Sequence, residues 1–175
     1  MDIQFRQEAD EDMETIENVI VKAFQKEEMS DQTEHELVKR IRQSEAYIPE
    51  LALSAFLNGT LAGHIMLSRI EIEQPDQTRI PSLALAPVSV LPTLQGRGIG
   101  TALIREVLQR AASAGHPSVI VLGHPDYYPR FGFQPASGFG VRVPFDVPDE
   151  AFMALELERG ALQPGIIRYS AAFQL

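Results

Sequence analysis

Three glycines within five positions make one short segment of this sequence well suited to hold an anion. Without Cβ atoms, successive backbone N–H groups can converge on a phosphate, and the positive end of a following helix dipole adds to the attraction. A predicted helix follows the segment, with an apolar stripe at Leu103, Ile104, Val107, Leu108 and Ala111. A predicted strand precedes the segment, so a folded core would hold it in place. This glycine-rich loop consists of Gln95, Gly96, Arg97, Gly98, Ile99, Gly100 and Thr101.

Two common phosphate-binding patterns do not fit the glycine-rich loop. The P-loop requires a lysine and a serine or threonine after its last glycine, whereas Thr101 and Ala102 follow Gly100. The dinucleotide fingerprint requires glycine at its sixth position, which is Thr101 when the count starts at Gly96. The pattern that remains is Gln-x-x-Gly-x-Gly between a strand and a helix.

A second motif comes after the next predicted strand, where Tyr128, Gly132 and Phe133 form Tyr-x-x-x-Gly-Phe. In this order, the two motifs resemble the acetyl-CoA pyrophosphate loop and the tyrosine element of the GCN5-related N-acetyltransferase (GNAT) superfamily. The segment from about Leu53 to Phe139 is most similar to the bacterial YhbS-type N-acetyltransferases. The remaining parts of the chain carry little of this resemblance.

The resemblance implies an α/β (α+β) GNAT fold. Its mixed, mostly antiparallel central sheet has about six to seven strands, splayed between strands four and five, and about four helices surround it. Because no repeat or linker interrupts the sequence, we expect one domain over residues 1–175.

Periodicity and turn chemistry place the main elements. We expect an edge strand at 3–7 and strands at 51–57, 60–73 and 80–91, with Asn58-Gly59 as a type I′ turn. Asp10 is the expected N-cap of a first helix, and Thr33 to Glu36 the capping box of a second. A short helix is expected around residues 126–130, and 151–158 and 165–173 are predicted to pair antiparallel. A bulge is expected at Pro87, which lacks an N–H.

The resemblance implies acetyl-CoA as co-substrate. The glycine-rich loop would bind the pyrophosphate, and the backbone at Val88 and Val90 would pair with the pantetheine arm. Arg97 lies within the loop. Three further arginines could lie on the rim of this site or on solvated helix faces, and the sequence leaves both alternatives open. They are Arg105, Arg110 and Arg130.

Tyr128 occupies the superfamily's position for the acid that protonates the thiolate, with Tyr127 as the alternative. The amine acceptor would attack the thioester directly in a ternary complex, and a strand N–H near Val90 would bind the oxyanion. Residues 80–91 contain neither a carboxylate nor a histidine, so we assign no general base. Candidates elsewhere in the chain are His64, Glu71, Glu73, His124 and Asp126.

The composition narrows the classes of partner. The 175 residues carry a formal net charge of −9, which disfavours nucleic acid and favours a cationic acceptor. The four histidines lack metal-ligand spacing and cysteine is absent, so we expect no metal. Neither a signal peptide nor an apolar run long enough to span a membrane is evident, which favours a cytoplasmic protein without a membrane partner.

The acceptor class stays open between a small-molecule and a peptide amine, and the resemblance allows a homodimer. Two other functions are weighed against an N-acetyltransferase. One is the same fold acting as an acyl-CoA-binding or sensory module without turnover. The other is a nucleotide-binding domain of a different α/β type, which would bind ATP or NAD as tightly as CoA.

Overall fold

The computed structural model describes residues 2–174, in which nine strands form one sheet and three α-helices cover it. The helices are α1 (Met13–Phe24), α2 (Glu34–Arg42) and α3 (Ile99–Ser113). The strands are β1 (Ile3–Gln7), β2 (Ala52–Leu57), β3 (Thr60–Glu73), β4 (Arg79–Val90), β5 (Ser118–Leu122), β6 (Gln134–Pro135), β7 (Val141–Arg142), β8 (Phe152–Glu156) and β9 (Gly165–Arg168).

The sheet has the expected mixed, mostly antiparallel topology. Its strand order is β1-β2-β3-β4-β5-β8-β6, and β9 pairs with β3 and β7. Only β4–β5 and β7–β9 run parallel within residues 2–174. There are more strands than the six or seven expected because β6 and β7 are two-residue pieces. There are three α-helices rather than four because the expected helix around 126–130 is a 3₁₀ turn, Tyr128–Phe131.

Two of the local predictions for the first helices are wrong. Asp10 begins a 3₁₀ turn, and α1 starts after it at Met13 with Asp12 at the N-cap. Thr33 is the N-cap of α2 but forms no capping box. The Thr33 hydroxyl instead donates to Asp31 Oδ1 at 2.6 Å. This bond within the preceding turn engages the hydroxyl that would otherwise have capped the helix.

The hydrophobic core lies on both faces of the sheet. On one face, α3 buries its apolar stripe of Leu103, Ile104, Val107, Leu108 and Ala111 against β2, β3 and β4, as the sequence predicts. On the other face, α1 and α2 pack through Ile16, Val19, Ile20, Val38 and Ile41. We refer to these as the α3 face and the α1 face.

The closing strands do not pair with each other as predicted. β8 pairs with β5 and β6, while β9 lies beside the end of β3 from Glu71 to Glu73. The reason is the length of β3, which runs 14 residues and extends well beyond its pairing with β2. Its unpaired end offers a free edge, and β9 satisfies the exposed backbone groups there.

The central hairpin forms as its sequence predicts, and β4 is bulged at the predicted place. Asn58 and Gly59 have φ of +51° and +82°, which a type I′ turn requires. Between the pairs Ile65–Val88 and Leu67–Leu85, β4 has two residues, Ala86 and Pro87, against one on β3. This bulge lies just beyond the last contact between β4 and β5.

Candidate active site

Strands β4 and β5 separate early, which exposes one edge of β4. They pair only through Leu83–Val119 and Ala84–Ile120, although β4 continues to Val90. Residues 85–90 therefore have β3 on one side and no strand on the other. We call this stretch the open edge, and it is the splay between strands four and five that the family resemblance implies.

The backbone at Val88 and Val90 is directed toward the open edge. Leu91 N–H donates to Ala62 O across the β3–β4 ladder at 2.9 Å. Because successive residues of a strand alternate direction, the polar groups of Val90 and Val88 then point away from β3. Gln95 Nε2 donates to Val90 O at 3.1 Å, which holds the start of the glycine-rich loop against this edge.

The glycine-rich loop leads directly into α3. Gly96 and Gly98 have φ of +78° and +84°, conformations that favour glycine, and Gly98 is the N-cap of the helix. The first turn carries no acidic residue to compete for its free N–H groups. The Ile99 side chain is buried in the core, so only its backbone faces a ligand.

Tyr127, not Tyr128, is joined to the glycine-rich loop. Its hydroxyl and that of Thr101 lie 2.9 Å apart, and a Cβ on Gly100 would be 3.7 Å from the Tyr127 oxygen. The Arg130 guanidinium stacks 4.3 Å from the Tyr127 ring centroid. The exposed Arg130 therefore packs on the ring of the tyrosine that contacts the loop.

Tyr128 is buried beside the end of β5. It is 7% exposed, packs edge-on against Tyr127 and Phe133, and rests on Gly123, where a Cβ would overlap its ring. Burial raises the pKa of Tyr128 to about 12, and Tyr127 adds a smaller effect in the same direction. The phenol therefore keeps its proton at neutral pH.

The other predicted rim arginines differ in position. The Arg105 guanidinium lies 5.2 Å from the Phe131 ring centroid, close to the tyrosine segment. Arg110 forms an ion pair with Glu106 at 3.0 Å in the last turns of α3, far along the helix from the loop. Arg97 is exposed within the loop itself.

The base candidates do not converge on the open edge. Glu71 and Glu73 pair with Arg79 and Arg168 where β9 joins β3, at the opposite end of β4. His124 and Asp126 are exposed on the loop after β5. His64 is fully buried on the α1 face, where its Nε2 lies 2.8 Å from Glu8 Oε2.

Glu8 is a buried partner of His64 that the sequence analysis did not identify. Its fully buried carboxylate accepts two bonds from Arg42, at 2.9 and 2.8 Å, and one from the Tyr47 hydroxyl at 2.6 Å, besides the His64 contact. Burial alone would raise the pKa of Glu8, but the bonds from His64, Arg42 and Tyr47 outweigh it and hold the pKa well below its usual range. These residues lie in three parts of the chain, at position 8, between 42 and 47, and at 64, so no single local motif contains them.

Comparison with known proteins decides the family. Residues 4–136 match the sequence profile described as Acetyltransferase (GNAT) domain. The chain belongs to the GNAT acetyltransferase family. The N-acetyltransferase YjhQ of Escherichia coli K12 is 36% identical over 118 residues, which are 67% of this chain and 65% of YjhQ. YhbS of the same strain is 27% identical over 117 residues, covering 66% of this chain and 68% of YhbS.

Solved structures of GNAT proteins share this architecture. A GNAT acetyltransferase from Brucella melitensis, crystallised with acetyl-CoA, is 33% identical over 98% of both chains, with a TM-score of 0.82. YhbS from E. coli in complex with CoA has a TM-score of 0.87 at 24% identity, over 99% of this chain and 92% of that one, and supports the fold.

Two features are absent from residues 2–174. No group of three or more potential ligand side chains is arranged to hold a metal ion in this part of the chain. None of its helices has the length and apolar character needed to cross a bilayer.

Proposed function

We propose that this GNAT protein transfers the acetyl group of acetyl-CoA to a primary amine. The observation that carries the proposal is the open edge of β4 leading directly to the glycine-rich start of α3. The acetyl-CoA complex of the B. melitensis relative supports the same co-substrate here. The acceptor amine belongs to a small molecule or a peptide.

Each part of acetyl-CoA has a matching element. The pyrophosphate binds to the backbone N–H groups of the glycine-rich loop, aided by the dipole of α3. The pantetheine arm adds to the sheet as an extra strand along Val88 and Val90. Because the pyrophosphate lies at the Val90 end, the thioester reaches the bulge, where the Val88 N–H is the better placed donor to the oxyanion.

The raised pKa of Tyr128 disfavours complete proton transfer from its phenol to the leaving thiolate. A model thiol has a pKa of about 8.5, so complete proton transfer from a phenol of pKa about 12 is uphill by about 5 kcal/mol. A hydrogen bond from the phenol to the developing thiolate avoids most of this cost. We therefore assign Tyr128 a hydrogen-bonding role toward sulfur as the amine attacks directly.

Calorimetric titration with acetyl-CoA, CoA, ATP and NAD tests the cofactor assignment. We expect binding of the two CoA compounds only, and its loss in Gly98→Glu, which places a carboxylate where the pyrophosphate binds. Gly160→Glu is the matched control, because Gly160 also has positive φ, +80°, and open surroundings, but lies in the turn after β8. Equal losses in both variants, or equal binding of ATP, would contradict the assignment.

A screen of amines with detection of released thiol tests the transfer itself. The expected result is CoA release that depends on both acetyl-CoA and a primary amine. CoA binding without turnover on any amine would favour the alternative of an acyl-CoA-binding module. The absence of a carboxylate from residues 85–90 is the observation that keeps this alternative in the test.

A further inference from the structure

Two exposed arginines lie on aromatic rings beside the glycine-rich loop. The Arg130 guanidinium is 4.3 Å from the ring centroid of Tyr127, and the Arg105 guanidinium is 5.2 Å from that of Phe131. The two rings are themselves edge-on to each other, with centroids 5.3 Å apart. These contacts form one continuous row, which we call the arginine row, of Arg130, Tyr127, Phe131 and Arg105.

The arginine row is joined to the loop and follows the first turns of α3. Tyr127 makes the junction, because its hydroxyl lies 2.9 Å from that of Thr101. Arg105 is four residues after Thr101, so the two side chains lie on the same face of α3, one turn apart. Because a helical side chain leans toward the N-terminus of its helix, Arg105 covers the turn next to the loop. Both guanidinium groups therefore border the surface beside the loop.

The positive charges of the arginine row are not neutralised by the part of the chain that the structure describes. No carboxylate of residues 2–174 lies within ion-pair distance of Arg105 or Arg130. By contrast, Arg110 on the same helix is paired with Glu106 at 3.0 Å. Arg130 Nε donates to the Tyr127 carbonyl oxygen at 2.8 Å, which orients the guanidinium while its two terminal amino groups stay available to a ligand.

CoA carries an anionic group that matches these charges. Besides its pyrophosphate, CoA has a phosphate monoester on the 3′ carbon of its ribose, one sugar away from the pyrophosphate. The chain has a formal net charge of −9 and Asp126 is exposed close by, so this phosphate needs local positive charge in order to bind. The planar fork of arginine matches two phosphate oxygens, and an aromatic ring behind the fork helps to fix its orientation.

We infer that Arg105 and Arg130 bind the 3′-phosphate of the CoA moiety and thereby select CoA over dephospho-CoA; the inference rests on the proposed function, which seats the pyrophosphate on the glycine-rich loop. Dephospho-CoA has the same pantetheine arm and the same pyrophosphate and lacks only the 3′-phosphate. The open edge and the loop contact the groups that the two compounds share. Discrimination between them therefore belongs to the arginine row.

Calorimetric titration of the full chain with CoA and with dephospho-CoA measures this selection. We expect wild type to bind CoA about tenfold more tightly or better, since one charge-assisted hydrogen bond contributes a factor of about that size. In the double variant Arg105→Gln/Arg130→Gln, the affinity for CoA should fall to that for dephospho-CoA. The affinity for dephospho-CoA should be the same in the double variant and in wild type.

Arg110→Gln is the matched control for Arg130→Gln. Both changes remove one positive charge, but Arg110 is paired with Glu106 far along α3 from the loop. Attraction of the 3′-phosphate to positive charge in general would be weakened equally by both changes, whereas a direct contact is lost only in Arg130→Gln. Arg130→Lys keeps the charge without the planar fork, so it should retain only part of the preference for CoA.

The comparison of the two compounds also separates phosphate binding from a structural role. If Arg130 only supported the ring of Tyr127, its removal would weaken both compounds equally, because both contact the loop that Tyr127 joins. Loss of a phosphate contact weakens the binding of CoA alone.

Three results would overturn the inference. They are equal binding of CoA and dephospho-CoA to wild type, an unchanged preference in the double variant, and an equal loss of preference in Arg110→Gln and Arg130→Gln. Binding of neither compound by the folded chain would instead contradict the proposed function itself. The two failures are therefore distinguishable in one set of titrations.

Discussion

At the scale of single residues, two adjacent tyrosines have different surroundings. Tyr127 bonds Thr101 at the start of α3, and Tyr128 lies buried on Gly123 at the end of β5. Burial raises the pKa of Tyr128 to about 12, which makes it a donor that is present at every assay pH below that value. A deprotonated Tyr128 therefore plays no part in a neutral pH profile.

Tyr128→Phe should lower kcat by tenfold or more and leave the affinity for acetyl-CoA unchanged, because the hydroxyl acts on the leaving sulfur. The fold should tolerate it, since Tyr128 packs through its ring. Steady-state kinetics and calorimetry on the same preparation measure both effects.

Tyr127→Phe is the control for this experiment. It removes the bond to Thr101 beside the glycine-rich loop and should weaken CoA binding more than it lowers kcat. If Tyr127→Phe has the larger effect on kcat, the leaving-group role belongs to Tyr127.

At the scale of elements, the site depends on the close approach of α3 to β3. A Cβ on Gly63 would lie 2.8 Å from Ser89 O and 3.0 Å from Leu103 Cδ1. The absence of a side chain at Gly63 therefore lets the helix pack directly above the central strands. This contact fixes the start of α3 relative to the open edge.

Gly63→Ala should lower the free energy of unfolding by about 1–3 kcal/mol, because backbone or helix must shift to make room. Gly138→Ala is the matched control, since a Cβ there meets nothing within 4 Å and no positive φ is needed. That change should be neutral or slightly stabilising. Urea denaturation of both variants measures the difference, and equal stabilities would contradict the packing argument.

At the scale of the whole molecule, the formal net charge of −9 would attract a cationic acceptor and repel the polyanionic acetyl-CoA. A cationic amine is attracted over a distance that salt shortens, from a Debye length of about 10 Å at 0.1 M to about 3 Å at 1 M. We therefore expect the net charge to change the rate at which the amine reaches the protein. The open edge and the glycine-rich loop act only at short range, on a molecule that is already bound.

Added salt should therefore lower kcat/KM for a cationic amine several-fold and leave kcat nearly constant. The measurement is initial rates between about 0.05 and about 0.5 M NaCl, a range over which the Debye length falls about threefold. An amine of low pKa, neutral at the assay pH, is the control and should show little change. A salt effect of equal size on both amines would contradict attraction by the acidic surface.

The sequence by itself determined the glycine-rich loop, the hairpin at Asn58-Gly59, the bulge at Pro87 and the stripe of α3. These features depend on local physics: the φ that glycine allows, the N–H that proline lacks, and the helical spacing of apolar residues. The two motifs that indicate the family are also short, local stretches of sequence.

Only the tertiary structure decided the rest. β9 pairs with β3 rather than β8, because a free edge on a long strand becomes available only once the sheet has formed. Tyr128 is buried and Tyr127 is not. The sequence around these two tyrosines has no pattern that indicates which one is buried. Glu8 contacts Arg42, Tyr47 and His64, which lie 34, 39 and 56 residues away in the sequence. The fold alone brings this buried cluster together, because contacts between residues so far apart in sequence leave no local pattern.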